Sequence, residues 1–369
     1  MKTPVPSFPS NRLLSLDVMR GWIMILLAAE SAQLYRSLRP LAKDSWAEGI
    51  VRQFFHHAWN GLRFWDLVQP AFMTIAGAAM YIAFTRKGVA WGANWPHVLR
   101  RSFRLLVCGV GLHCIYQGRL VWELWNVLTQ LSVTTIIAYA IIQKSIRFQI
   151  IASVALLVLT ELCYRTIGIP GFDQPFTDQH NFGNWMDLLL MGKMNSGGWV
   201  TINCIPTAAH TIWGVLIGKI LIDENITQQR KVTVLFAAGA IALAVGYGLD
   251  WAGVTPIIKR IATSSFVLAS GGWVLWTAAF LFWLIDVKKR DGGAWVPVVV
   301  GMNPIFIYLV FETVGHQWLN GAVAIFVTGF LGWTGITEDW MNVASALVTL
   351  GLYWGLCYWL YRKKIFFKL

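Results

Sequence analysis

Residues 261–290 read IATSSFVLASGGWVLWTAAFLFWLIDVKKR, and this stretch decides the class of fold. From Ile261 to Ile285 it carries no charged side chain, and Asp286 is followed at once by Lys288, Lys289 and Arg290. A helix needs about 20 mostly apolar residues to cross a hydrocarbon core about 30 Å thick. Lys and Arg collect in the loops on the cytoplasmic side. The stretch therefore reads as a spanning helix over 261–286 that ends at a cytoplasmic loop.

The pattern repeats along the chain, at 16–35, 62–85, 101–117, 124–143, 147–164, 200–221, 232–250, 294–314 and 340–361. Of 369 residues, 56% are hydrophobic and only 13% charged, where a soluble domain carries about a quarter charged. A set of soluble domains is excluded. The net charge of +12 does not make a nucleic-acid face, because the basic residues sit in short clusters between apolar runs. The expected fold is all-α: one polytopic transmembrane helix bundle over 1–369 with about ten spans. An eleventh apolar stretch, 320–334, is interrupted by Gly321, Gly329 and Gly332 and is expected to be re-entrant or to lie on the surface.

Charge bias sets the topology. With loops 86–101, 144–147, 222–231 and 286–293 in the cytoplasm, ten crossings place both the N-terminus and the basic tail YRKKIFFKL inside. The apolar run after the Pro-rich N-terminus carries Asp17, Arg20 and Glu30, which does not suit a cleavable signal, so it reads as a retained span. Two long segments, 36–60 and 165–199, then face outward. The first contains DSWAEGIVRQFFHHAWN, expected as an amphipathic helix at the outer mouth. The five cysteines lie in apolar runs without a Cys-x-x-Cys spacing, so no disulfide framework or metal site is expected. No Walker A or dinucleotide glycine motif occurs.

Ionisable residues inside spans cost at least about 2.5–3.5 kcal/mol each at the bilayer centre, so each needs a partner, water or a function. Asp17 and Arg20 have the spacing of an intrahelical pair. Glu30 and Asp66 are placed toward the outer mouth, and His113, Glu161, His210 and Glu312 are expected to find partners in the bundle. His56 is the sharpest candidate for chemistry. On a helix over 52–60 it would share a face with Asn60, beside Trp59, and an imidazole takes a proton near neutral pH. The alternative is a loop histidine in the interfacial aromatic belt. Polar runs interrupt later spans at Thr201 and Asn203, at Thr263, Ser264 and Ser265, and at Asn303 before Pro304. These are either interhelical hydrogen bonds or the lining of a cavity. Gly214 and Gly218 make a Gly-x-x-x-Gly face for close helix contact.

Five segments, taken in order, are RLLSLDVMRG, HHAWNGLRFWDLVQPAF, VTINCIPTAAHTIWGVLIGKIL, GMNPIFIYL and YRKKIFFKL. Together they resemble the heparan-alpha-glucosaminide N-acetyltransferase family, with bacterial members linked to N-acetylglucosamine metabolism. The resemblance runs from about residue 11 to the C-terminus. It implies an enzyme of the bacterial inner membrane that moves an acetyl group from cytoplasmic acetyl-CoA to an amino sugar outside, and it implies a homodimer in the lipid bilayer. The family's histidine, three residues before the Trp of Trp-Asn-Gly, corresponds to His56.

Under that resemblance, Arg100, Arg101, Arg104, Lys144 and Arg147 are candidates for the anionic nucleotide of CoA, or else ordinary topology determinants. Asn60, Asn203 and Ser264 are candidate donors to the oxyanion, with Asn203 and Ser264 along the path of the CoA arm. Asp66 is grouped with His56 and Asn60 as catalytic. Trp59, Glu30 and Asn303 are candidates for the acceptor, and Trp65, Trp185 and Trp199 for stacking on a sugar or for the belt. Attack by the amine directly on the thioester and transfer through an acetyl-histidine both remain open. The rival reading is an amino-sugar transporter without acyl transfer.

Overall fold

Hydrocarbon offers no water to backbone amides, so a chain this apolar has to satisfy them within helices. The computed structural model describes residues 13–367. The N-terminus up to Arg12, expected in the cytoplasm, and the last two residues of the basic tail lie outside the described residues. Every regular element among the described residues is helical, with one isolated antiparallel bridge between Asn60 and Ile258.

The chain opens with α1 (Leu14–Ser31), α2 (Leu34–Ala42) and α3 (Glu48–Arg52). A 3-10 turn, Phe64–Leu67, leads into α4 (Val68–Lys87), followed by α5 (Trp91–Gln117), α6 (Val127–Ala140), α7 (Ile146–Thr166) and α8 (Phe182–Met191). A second 3-10 turn, Thr201–Asn203, starts α9 (Cys204–Ile222), and α10 (Gln228–Trp251) and α11 (Ser264–Leu281) follow. The last helices are α12 (Trp295–Gly301), α13 (Pro304–Val310), α14 (Asn320–Leu331) and α15 (Glu338–Arg362). Asn126, Ser145, Asn181 and Thr227 stand before α6, α7, α8 and α10, and each side chain accepts a first-turn amide.

Among the described residues six helical segments are long and apolar enough to cross a membrane: Phe64–Lys87, Ile146–Thr166, Thr201–Ile222, Gln228–Trp251, Ser264–Val287 and Glu338–Arg362. A bent pair, Trp295–Gly301 and Pro304–Thr334, raises the number to seven if it counts as one span. Three expected spans fall short by this measure. The α1 helix carries Asp17, Arg20 and Glu30, the α5 helix carries Arg100, Arg101 and Arg104, and the 14 residues of α6 rise only about 21 Å.

The structure also corrects the expected span 294–314 and joins to its second half the segment 320–334, expected to be re-entrant or on the surface. The helix breaks at Met302 and Asn303, turns by 77°, and then continues unbroken through a π segment, Phe311–Leu319, into α14. Pro304 sets this boundary, because its ring suits the first turn of a helix and not the interior of one. The expected amphipathic helix in 44–60 is likewise confined to Glu48–Arg52.

The chain divides into two compact units, one from His57 to Ala279 and the other formed by the residues up to His56 with those from Phe280 onward. In the His57–Ala279 unit α9 is central: 72% of its apolar window is buried, against 22% for α7, whose outer face is left to lipid. The α4 and α9 backbones touch. A Cβ at Gly77 would overlap the Thr211 carbonyl oxygen, and one at Gly214 the Thr74 carbonyl oxygen. The face expected at Gly214 and Gly218 is thus the surface on which α4 packs. Gly214→Leu is expected to force the two helices apart at a cost of about 1–3 kcal/mol or more. It should show as a lowered Tm of the detergent-solubilised protein, and an unchanged Tm would contradict this packing.

In the other unit α1 packs on α12, where Gly21 meets the Pro297 carbonyl closely. Arg20 pairs with Asp17 and donates through Nε to the Gly301 carbonyl at 2.8 Å. The Asp286 carboxylate accepts the first amides of α1, from Leu14 at 3.2 Å and Ser15 at 3.1 Å. Asn303 takes the Phe367 amide at 2.8 Å and donates to the Ile365 carbonyl at 3.0 Å, and Phe306 stacks on Phe367.

Candidate active site

The segment HHAWNGLRFWD enters α4 through the 3-10 turn, which places Asp66 in the first turn with only 1% of its surface exposed. A buried carboxylate needs donors and a countercharge. Its Oδ2 accepts the amides of Arg63 at 3.0 Å and His57 at 3.3 Å, and its Oδ1 lies 3.4 Å from Lys259 Nζ. Lys259 is itself buried, and its ammonium lies over the Trp199 ring at 5.4 Å.

Backbone pairing ties the same two segments together. Gly61 donates to the Ile257 carbonyl at 2.8 Å beside the Asn60–Ile258 bridge. Gly61 has φ +140, and a Cβ there would stand 2.7 Å from His57 Nε2, so only glycine lets the loop close over the His57 ring. Trp59 donates its indole N–H to the Phe176 carbonyl at 2.8 Å.

The expected site residues are spread over several places. His56 is exposed and is the last residue of its unit, bonded directly to His57. The stretch 53–60 is not helical, so His56 and Asn60 do not share a helix face, and Asn60 is held by its backbone. Asn203 is buried and donates to the Arg260 carbonyl at 3.3 Å. Ser264 donates to Glu161 at 3.1 Å, a carboxylate that also binds Thr255 at 2.7 Å and Arg165 at 2.6 Å. Trp65 is 3% exposed, which removes it as a sugar platform.

Two expected acceptor contacts, Glu30 and Asn303, belong to the unit formed by the residues up to His56 with those from Phe280 onward. Glu30 stands at the end of α1, while Asn303 holds the C-terminal tail at the Gly301 side, near the start of that helix. About 13 residues of helix, roughly 20 Å, separate those positions. Glu30 and Asn303 therefore do not form one subsite.

A second set of buried carboxylates, Glu123 and Asp187, is marked by no motif in the sequence. Glu123, 4% exposed, lies 2.7 Å from His113 Nδ1 and pairs through its other oxygen with Lys193. Asp187, fully buried, accepts the Trp125 indole N–H at 2.7 Å and the Thr201 amide at 2.9 Å. Burial raises the Asp187 carboxyl above the usual range, although these hydrogen bonds pull the other way.

A raised folded-state pKa means that the native state binds the proton more tightly, so this group destabilises the fold above that pKa and the cost fades as pH falls through it. Asp187→Asn mimics the protonated form. Its Tm should exceed that of the parent at neutral pH, and the difference should shrink as pH falls toward 4, roughly the ordinary aspartate range. A constant difference across that range would contradict the assignment.

The far ends of the same helices are basic. Lys87 of α4, Asn94, His97 and Arg101 of α5, and Thr135 of α6 line a cavity of about 60 Å³ with Met80 and Phe84 in its apolar wall. Burial, then the charges of Lys87, Arg101, Arg100 and Arg104, push the His97 imidazole below its ordinary range. Arg100, Arg104, Lys144 and Arg147 are exposed, and the Lys144 carbonyl accepts from Lys219 Nζ at 2.6 Å. From Asp66 to Lys87 the chain rises about 30 Å, the thickness of a hydrocarbon core. Among the described residues no group of three or more His, Cys, Asp or Glu side chains is placed to hold a metal ion.

This is an all-helical protein with membrane-length apolar helices, a buried ion pair at one end of a close-packed helix pair and a cationic cavity at the other. No protein-family model matches the chain. It is 24% identical to mouse heparan-alpha-glucosaminide N-acetyltransferase over 435 residues, a match that covers 98% of this chain and 61% of that protein. The human protein of the same name matches at 23% over 434 residues, covering 97% of this chain and 60% of its own length. The chain thus spans about three-fifths of the length of these relatives, and the matches show a distant relationship to them. Similarity to ATP synthase subunit a of Colwellia psychrerythraea, 27% over 97 residues, covers only 26% of this chain.

Proposed function

We propose that the protein is a membrane acetyltransferase that takes an acetyl group from acetyl-CoA at the cationic end of α4 and passes it to an amino sugar at the Asp66 end. The observation that most supports this reading is the length of α4, which joins the loop HHAWNGLRFWD to a cation-lined cavity across about one membrane thickness. Both long relatives are named as N-acetyltransferases, which favours transfer over transport alone. In the full proposal the bundle crosses the bacterial inner membrane about ten times with both ends cytoplasmic, so the cationic end faces the cytoplasm.

In this mechanism Arg100, Arg101, Arg104, Lys144 and Arg147 hold the anionic nucleotide of acetyl-CoA. The acyl-bearing arm runs between helices past Ser264 and Asn203. At the far end His56 takes a proton from the amine as its nitrogen attacks the thioester carbonyl. The C–N bond forms, the C–S bond breaks, and the thiolate leaves and is protonated to CoA. Asn60, Asn203 or Ser264 donates to the oxyanion, Trp59 stacks on the sugar, and Asp66 holds the loop that follows His56. The covalent route has the same residues, with the acetyl group resting on His56 before the amine attacks.

Proteoliposomes supplied with radiolabelled acetyl-CoA and a panel of hexosamines test the reading. Acetyl transfer predicts a labelled N-acetyl sugar that depends on the protein. Sugar uptake without any need for CoA, and no modified sugar across the panel, would establish the transporter reading instead.

A further inference from the structure

The cavity between α4, α5 and α6 has features that anion binding in general does not require. Two cations from different helices, Lys87 and Arg101, meet there, with Arg100 and Arg104 in adjoining positions of α5. Asn94 and His97 lie in the first two turns of α5, where the amide dipoles favour negative charge, and each brings a side-chain N–H. No carboxylate lines the cavity. At about 60 Å³ it has room for only a few waters, each of which needs about 10–15 Å³. That suits a tetrahedral oxyanion.

We infer that this cavity is a phosphomonoester site, in which Lys87 and Arg101 neutralise a dianion and Asn94 and His97 complete its hydrogen bonds. The inference rests on the acetyl-CoA reading for its favoured source, the 3′-phosphate of the CoA ribose. It adds Lys87, Asn94 and His97 to the binding machinery and makes that one phosphate a determinant of specificity. A diester phosphate carries a single charge and leaves one of the two cations uncompensated. A phosphomonoester lipid headgroup has the same chemistry as the ribose phosphate and is the second source.

The test is calorimetric titration of the full-length solubilised protein with CoA and with 3′-dephospho-CoA. The parent protein should bind CoA about tenfold tighter or more. Lys87→Ala should bring CoA down to the affinity of the dephospho form, leave dephospho-CoA binding unchanged, and keep the parental Tm, and Arg101→Ala should weaken CoA more than dephospho-CoA. Lys87→Arg should retain the preference.

Equal affinity for both nucleotides in the parent, or equal loss of both in the variants, would overturn the inference while leaving acetyl-CoA as the donor. If neither nucleotide binds, the donor reading fails, and nanodiscs of phosphatidic acid against phosphatidylcholine decide the rest. Stabilisation by phosphatidic acid that is lost in Lys87→Ala supports the site with a lipid source, and its absence rejects the site.

Discussion

Replacing His56 by alanine is expected to lower the acetyl-transfer rate by about 10²–10⁴-fold, the range for loss of a positioned general base. The substitution should leave expression, Tm and CoA binding at parental values. His56 is exposed and lies in a short non-helical stretch. His57→Ala should behave differently, because that ring is tucked beneath Gly61. Its main effect should be on stability. If His56→Ala kept full activity while His57→Ala lost activity at unchanged Tm, the roles of the two histidines would have to be exchanged.

The second large effect is expected at the ion pair that fixes the loop. Lys259→Met leaves the Asp66 carboxylate buried without its countercharge, and breaking such a pair costs about 3–5 kcal/mol. Asp66→Asn combined with Lys259→Met removes both charges and should recover much of that stability, because a buried pair is often replaceable by uncharged groups. Transfer activity should not return with it, since a neutral amide in place of the Asp66 carboxylate no longer holds the His57 and Arg63 amides with a full charge. Thermal unfolding of the two single variants and the double variant, alongside kcat and KM, separates the two effects. A double variant as unstable as Lys259→Met would mean that the pair does not carry the loop.

What was legible in the sequence divides along physical lines. Apolar run length and the basic clusters mark the long helices, because hydrocarbon thickness acts on composition directly. The same measures leave the crossings at α1, α5 and α6 open, because those helices are charged or short, and they do not register where one residue redirects a helix. Asn303 and Pro304 bend the chain by 77°, which no window average registers. Motif residues were legible as positions but not always as roles. Gly21, Arg20, Gly301 and Asn303 come from opposite ends of the chain and together knit α1, α12 and the tail. Their pattern reflects packing as much as chemistry.

The second segment, HHAWNGLRFWD, behaves differently, since Asp66 is buried beside Lys259 and the loop closes on residues 257–258. Lys259 had one available signal. It lies in a loop that the charge bias places outside, against the usual preference of lysine for the cytoplasmic side. Lys193, paired with Glu123, carries the same signal in the second outer loop. By contrast, Asp187 and Trp125 are 62 residues apart and no local spacing links them, so only the tertiary fold brings them together.

The central claim is that the acetyl group passes from one side of the bilayer to the other through a single chain. Sealed, uniformly oriented vesicles with radiolabelled acetyl-CoA on the side of Lys87 and Arg101, and glucosamine only on the side of Asp66, test it directly. Labelled N-acetylglucosamine should appear in the glucosamine compartment, with free CoA retained in the other. Product that forms only when both substrates share one compartment would contradict it.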